Sequence, residues 1–160
     1  MKIQIYTDGS CHTQYKMGAW VAILFIHSTK KILSGVVSDT THHRMELTAV
    51  IKAIDYLFAN YTDINHVEFF SDSQYVIDLP KRQKKLEASS FTTKKGNELQ
   101  NTDLIKQLLT HFAACNIQFV KIKAHQKKNG KNDANIEADI LSRKMVRDAV
   151  FHLLETTPNK

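Results

Sequence analysis

Hydrophobic and polar positions alternate in two different rhythms along this chain. Residues 3–7 (IQIYT) form a short β-prone run that ends at Asp8-Gly9. Residues 18–27 (GAWVAILFIH) are apolar and rich in β-formers, and a Lys30-Lys31 turn leads to a third run near 32–38. The three predict an antiparallel meander. From His43 to Tyr61 the period becomes helical, with Leu47, Val50, Ile51, Ile54, Leu57, Phe58 and Tyr61 at three- and four-residue steps. Residues 66–71 (HVEFFS) predict another strand, and a short helix follows from Ser73 to near Pro80. Residues 101–115 predict a helix with Leu104, Ile105, Leu108, Leu109 and Phe112 on one side. Residues 117–122 predict the last strand, Ala124 to Asp133 a polar loop, and about 135–154 a final helix.

The order is therefore β-β-β-α-β-α-α-β-α. Strands separated by helices favour parallel pairing, and the opening meander favours antiparallel pairing. The expected fold is α/β: a mixed five-stranded sheet, three antiparallel strands then two parallel, flanked by helices. No repeat, low-complexity tract or linker interrupts it. One domain is expected over residues 1–155, with 156–160 a frayed tail.

Composition narrows the class. A hydrophobic share of 42% in 160 residues fits a folded domain and not a disordered chain. No apolar run approaches the roughly 18 residues that span a bilayer. The start, MKIQIYTDGS, lacks the apolar core of a signal peptide, so a cytoplasmic location is expected. Cys11 and Cys115 form no CxxC pair and fit reduced thiols.

Charge adds a possible partner. Of the net +6, residues 81–95 contribute +5 (Lys81, Arg82, Lys84, Lys85, Lys94 and Lys95 against Glu87). Residues 121–131 contribute another +5 from Lys121, Lys123, Lys127, Lys128 and Lys131, which leaves the remainder at −4. Two basic segments on a mildly acidic body attract phosphate backbones, although solvated lysine loops would give the same count.

Four carboxylates stand out. Asp8 follows the first strand, where α/β folds expose functional groups, but an ordinary Asp-Gly turn explains it equally well. Glu46 is more telling. It lies four residues from Val50 and continues the apolar stripe towards Ile54, so it points to the sheet and needs a partner there. Arg44, two residues away, faces elsewhere. Asp72 follows residues 66–71 as Asp8 follows 3–7. It reads either as a cap for the helix at Ser73 or, if the two strands pair in parallel, as a neighbour of Asp8 about 5 Å away. Asp139 shares a helix face with Asn135, and both it and Glu137 could serve the helix dipole. Gathered carboxylates repel one another unless a cation compensates them. Hard divalent ions with oxygen ligands do so, and no His/Cys set has zinc spacing. A magnesium-dependent nuclease follows as a candidate, because such ions assist in-line phosphoryl displacement.

At these residues the sequence resembles the type I ribonuclease H family. The matching segments are Tyr6-Thr7-Asp8-Gly9-Ser10-Cys11, Arg44-Met45-Glu46-Leu47, Ser71-Asp72-Ser73-Gln74-Tyr75-Val76, and Ala124-His125 followed by Asn135 to Asp139, in the family's order. The resemblance implies an endonuclease that cuts the RNA strand of RNA–DNA hybrids, largely without sequence preference, leaving 5′-phosphate and 3′-hydroxyl ends. It implies two magnesium ions, with manganese as a substitute, held by Asp8, Glu46, Asp72 and Asp139. It also implies that His125 assists proton transfer or product release. Thr41 and Asn101 resemble contacts to a DNA phosphate, and Gln74 a reader of the minor groove. Asn135, Lys84 and Lys85 are further expected substrate contacts, the lysines within a basic protrusion at 81–95. The expected partner is a hybrid duplex bound by a monomer.

The departures lie in substrate contacts. His42 and His43 stand where the family often has two asparagines. His12-Thr13-Gln14-Tyr15-Lys16-Met17 replaces a glycine-rich stretch. The 81–95 segment offers Leu86 and Phe91 in place of tryptophans, and the loop around His125 is long and lysine-rich. Rival readings are a DNA-processing nuclease of the same fold, a hybrid-binding module without catalysis, and the nuclease part of a retroelement polymerase. The four acids disfavour the pure binder, which gains nothing from burying carboxylates against a polyanion.

Overall fold

The computed structural model describes residues 2–123 and 133–156. Three strands come first: β1 (Ile3–Cys11), β2 (Gly18–Ile26) and β3 (Thr29–Val37). They are followed by α1 (His42–Asn60), β4 (His66–Ser71), α2 (Gln74–Ile77), α3 (Leu79–Ala88), α4 (Thr102–Ala114), β5 (Asn116–Lys121) and α5 (Asp133–Thr156). The sheet order is β3-β2-β1-β4-β5. β1–β2 and β2–β3 are antiparallel, whereas β1–β4 and β4–β5 are parallel. The mixed five-stranded sheet expected from the sequence is thus the observed one.

Helices cover both faces. Ile3, Ile5, Ala22 and Leu24 pack with Leu47, Val50, Ile54 and Leu57 of α1 and with Ile105 and Leu108 of α4. On the opposite face Val21 and Ile23 meet Ala138, and Ala19 meets Val146 and Val150 of α5. This double cover explains why β2 is almost uniformly apolar and buried instead of alternating. β3, at the edge, has largely exposed residues.

Three local expectations need correction. Asp8 does not end its strand, because β1 continues to Cys11, with Asp8 opposite Val21 and Gly9 opposite Trp20. What ends near Asp8 is the pairing with β4, which covers Gln4 to Tyr6. Lys30-Lys31 is not the turn: the chain reverses at His27-Ser28, where His27 takes a left-handed φ of 56°. Pro80 does not stop a helix. α2 ends at Ile77, and Pro80 sits in the first turn of α3, where a missing N–H costs nothing. The chain therefore has three helices between β4 and β5, and Lys81 to Glu87 is helical. Buried Leu79 and Leu86 hold this basic helix to the body. Of the expected tail, Thr156 still belongs to α5, and 157–160 lie outside the described residues.

Gly9 sets the distance between β1 and α1. A Cβ there would lie 2.6 Å from the Glu46 backbone nitrogen and 2.7 Å from the Met45 carbonyl carbon. The first turns of α1 rest directly on the strand, and only glycine leaves room. The residue after Asp8 is therefore what brings Glu46 to it.

A carboxylate cleft at the end of the sheet

Each acid arrives on a different element. Asp8 lies on β1, on the α5-facing side by alternation with Tyr6. Glu46 lies one turn into α1. Asp72 follows β4, and Asp139 is in the second turn of α5. All four line one open cleft of about 550 Å³, together with Ser10, Cys11, His42, His43, Ser73, Gln74, Tyr75 and Arg143. Asp8 is only 6% exposed and Glu46 only 4%.

Local contacts fix these positions. Thr41 caps α1, its hydroxyl accepting the Arg44 N–H at 3.2 Å. Ser73 caps α2, so the capping role open to Asp72 is taken by its neighbour. Lys121 at the end of β5 donates to the Asp72 carbonyl at 2.8 Å. Ser10 and Ser142 share a 2.8 Å hydrogen bond that joins β1 to α5 close to Asp139. Arg143 Nη1 lies 3.7 Å from Asp139 Oδ2, one helical turn away.

The electrostatics are uneven. Burial pushes the Asp8 carboxyl up to about 8, and the charges of Asp72, Asp139 and Glu46 add to it against one N–H from Gly9. Burial also raises Asp72, with Glu46 and Asp139 contributing. Glu46 goes the other way. Burial would raise it, but hydrogen bonds from His42, Ser73 and His43 outweigh that and hold it below the usual range. His42 Nε2 and His43 Nδ1 each stand 3.1 Å from Glu46 Oε1.

The donor set suits a hard divalent cation: four carboxylates offer oxygen, and burial with mutual repulsion raises two of them. Among the described residues no three His, Cys, Asp or Glu side chains already stand at ligating spacing. The Glu46 oxygen is instead turned onto the two imidazoles.

The other expected contacts are distributed around this cleft. Gln74 lines it and donates to Asp78 at 2.7 Å. Asn101 precedes α4 in a left-handed conformation (φ 65°), and its amide donates to the Tyr75 hydroxyl at 3.1 Å. It lines an adjoining depression with His43, Tyr75 and Arg82. Thr41 opens onto a third depression with Cys11, His12, Lys16 and Thr40. Lys84 and Lys85 are exposed on α3, and Arg82 of the same helix lies 5.8 Å over the Tyr75 ring. Asn135 is buried, and its amide donates to the Lys123 carbonyl at 3.4 Å. His125, Lys127, Lys128 and Lys131 lie outside the described residues.

Four further residues take part. Arg44 forms a two-pronged pair with Asp103 at 2.9 and 2.8 Å, tying α1 to α4 beside Asn101. Nothing in the sequence signals that pairing across 59 residues. The contacts of His42 and His43 with Glu46 were legible, because residues three and four apart in a helix share a face. Arg143, four residues after Asp139, was legible by the same rule.

Comparison with known proteins places the chain. A family model described as RNase H matches residues 1–147. A ribonuclease H of Caldicellulosiruptor saccharolyticus is 30% identical over 149 residues, covering 92% of this chain and 97% of the relative. One from Prosthecochloris aestuarii is 33% identical with the same coverage, and one from Ehrlichia canis is 34% identical over 91% of this chain and 94% of its own length. Among solved structures, LC9-RNase H1 superposes with a TM-score of 0.75 at 18% identity, over 92% of this chain and 72% of that one. LC11-RNase H1, solved in complex with an RNA/DNA hybrid, gives 0.66 at 19% identity, over 92% and 99%. These two share the fold.

Proposed function

The chain belongs to the ribonuclease H family of enzymes, and from this we propose that it hydrolyses the RNA strand of RNA–DNA hybrids at the carboxylate cleft. The observation that carries the reading is the convergence of Asp8, Glu46, Asp72 and Asp139 on one cleft, with Asp8 raised to about 8. Burying that much negative charge is costly unless a cation is its intended partner. Asp8, Glu46, Asp72 and Asp139 would hold two magnesium ions, with 5′-phosphate and 3′-hydroxyl products. Bound there, the ions would supply positive charge to polarise the scissile phosphate. The protein's own part is to place the acids: Lys121 fixes the Asp72 backbone, the Ser10–Ser142 contact seats α5 on β1, and Gly9 admits Glu46.

Substrate binding fits the surroundings. A solved relative of the same fold binds an RNA/DNA hybrid. Here Gln74 would face the minor groove, Thr41 and Asn101 a DNA phosphate, and α3 the duplex backbone. Hybrid recognition of this type rests on 2′-hydroxyls and helix shape more than on base identity. His125 would assist proton transfer or product release, and Asn135 would join the substrate contacts. The protein would act as a monomer in the cytoplasm, as one domain over residues 1–155. No helix among the described residues is long and apolar enough to cross a membrane.

The test is cleavage of three uniform substrates, with and without magnesium: an RNA–DNA hybrid, duplex DNA and duplex RNA. The hybrid is expected to be cut only with magnesium, and the two homoduplexes to survive. Preferential cutting of duplex DNA would replace this reading with that of a DNA-processing nuclease. Binding without any cutting would make the chain a hybrid-binding module.

α3 gives a separate prediction. Lys84→Ala with Lys85→Ala will weaken hybrid binding, and the slope of log affinity against log salt will flatten by about one unit for each phosphate no longer neutralised. An unchanged slope would reduce α3 to a solvated face.

A further inference from the structure

The two histidines at the start of α1 have no part in the function proposed above, yet they make the most direct contacts with its acids. His42 and His43 are the first two residues of α1, so Glu46 is four and three residues on. That spacing puts both imidazoles over the same carboxylate. Each has a ring nitrogen 3.1 Å from Oε1, the same oxygen. The Glu46 side chain is 5% exposed, whereas the imidazoles are 59% and 53% exposed. The buried carboxylate therefore has two of its partners within its own helical turn, at the cleft mouth, besides Ser73 at the start of α2.

His43 is also braced from outside. Its ring stacks on Tyr75 at 4.2 Å between centroids and 23° between planes. Tyr75 in turn takes the Asn101 amide on its hydroxyl. The His43 donor thus does not swing freely. A cation that takes Glu46 must displace the His43 hydrogen bond and the 3.1 Å contact with His42 on the same oxygen, and bonds to charged groups are the stronger kind.

We propose that His42 and His43 are affinity-determining residues that compete with the divalent cation for Glu46 and so weaken this chain's hold on it. The proposal rests on the reading of the four acids as a magnesium site. Its expected outcome is opposite in sign to that of a supporting role. If the imidazoles served to orient Glu46 for the ion, removing them would loosen binding. As competitors, their removal tightens it.

The experiment is calorimetric titration of magnesium into wild type and into the double variant His42→Ala/His43→Phe, which keeps a ring to stack on Tyr75 but deletes both donors. The expected result is tighter magnesium binding by about tenfold. His12→Ala serves as the control: it removes an imidazole of the cleft's neighbourhood that packs on Tyr15 but does not contact Glu46, and it is expected to leave affinity at the wild-type value. Unchanged or weaker binding in the double variant overturns the proposal, as does an equal gain in His12→Ala. Binding by the variant alone supports it. Absence of binding in both proteins overturns the metal site and the competition together, whereas binding in wild type without a gain in the variant overturns the competition alone.

Discussion

Asp72→Asn will lower magnesium-dependent hybrid cleavage by about 1,000-fold or more and leave the fold unchanged. The first half follows from charge. Asparagine matches aspartate in shape but removes one of the four carboxylates that line the cleft. A loss of about 4 kcal/mol in transition-state stabilisation, ordinary for a metal-assisted step, gives three powers of ten. The second half follows from what holds residue 72. Lys121 bonds its carbonyl, not its side chain. Ser73 caps α2, and Ser71 Oγ accepts the Ser73 N–H at 3.0 Å. The turn therefore survives without the carboxylate. Single-turnover cleavage and circular dichroism on the same preparation provide the check. A variant that is folded and cuts within tenfold of wild type would remove Asp72 from the site.

Asp8→Asn will stabilise the metal-free protein at pH 8, and the gain will shrink towards pH 4. The sign comes from linkage. The Asp8 carboxyl is raised from 3.8 to about 8 in the folded chain. Between those values the native state holds a proton that the unfolded chain has released. Stability is therefore full below about pH 4 and declines as pH rises through the folded value, at up to about 1.4 kcal/mol per unit. Over the window this reaches several kcal/mol, on the order of the whole margin of a small domain. Asp72, also raised, acts in the same direction. Glu46, lowered, opposes them by adding stability as pH rises through the ordinary carboxylate range. Urea denaturation in chelator from pH 4 to 8 should show wild type falling and Asp8→Asn flatter. Equal stability of the two at pH 8 would mean that the negative charge at residue 8 is not a burden on the fold.

The amino-acid pattern disclosed the sheet because its strands are apolar runs bounded by polar turns. It disclosed Glu46 as well, since a carboxylate on the stripe of Leu47, Val50 and Ile54 has to be explained. Asp8 was harder to place. Asp8 and Gly9 have weak strand propensity, yet pairing with Val21 and Trp20 keeps them extended. Tertiary context overrode propensity there. Pro80 misled because proline ends one helix and begins another with equal ease, and only Leu79 and Leu86 decide between them. Long-range partners such as Arg44 with Asp103, or Asn101 with Tyr75, leave no periodic trace in the chain. The family resemblance grouped the four acids, and the cleft brings them onto one surface. What it did not contain was the attachment of His42 and His43 to Glu46.

The parallel pairing of β1 with β4 has a consequence for the order of folding. The meander of β1, β2 and β3 closes through short reversals, whereas the Gln4–Glu68 neighbours are 64 residues apart. Contacts of such long separation form slowly and late. Until they form, Asp8 and Asp72 sit in separate regions of water and do not feel each other. Their mutual repulsion enters only with that pairing, which brings the two strands side by side. A chain emerging from synthesis thus meets the electrostatic cost of its cleft once there is a sheet to bear it.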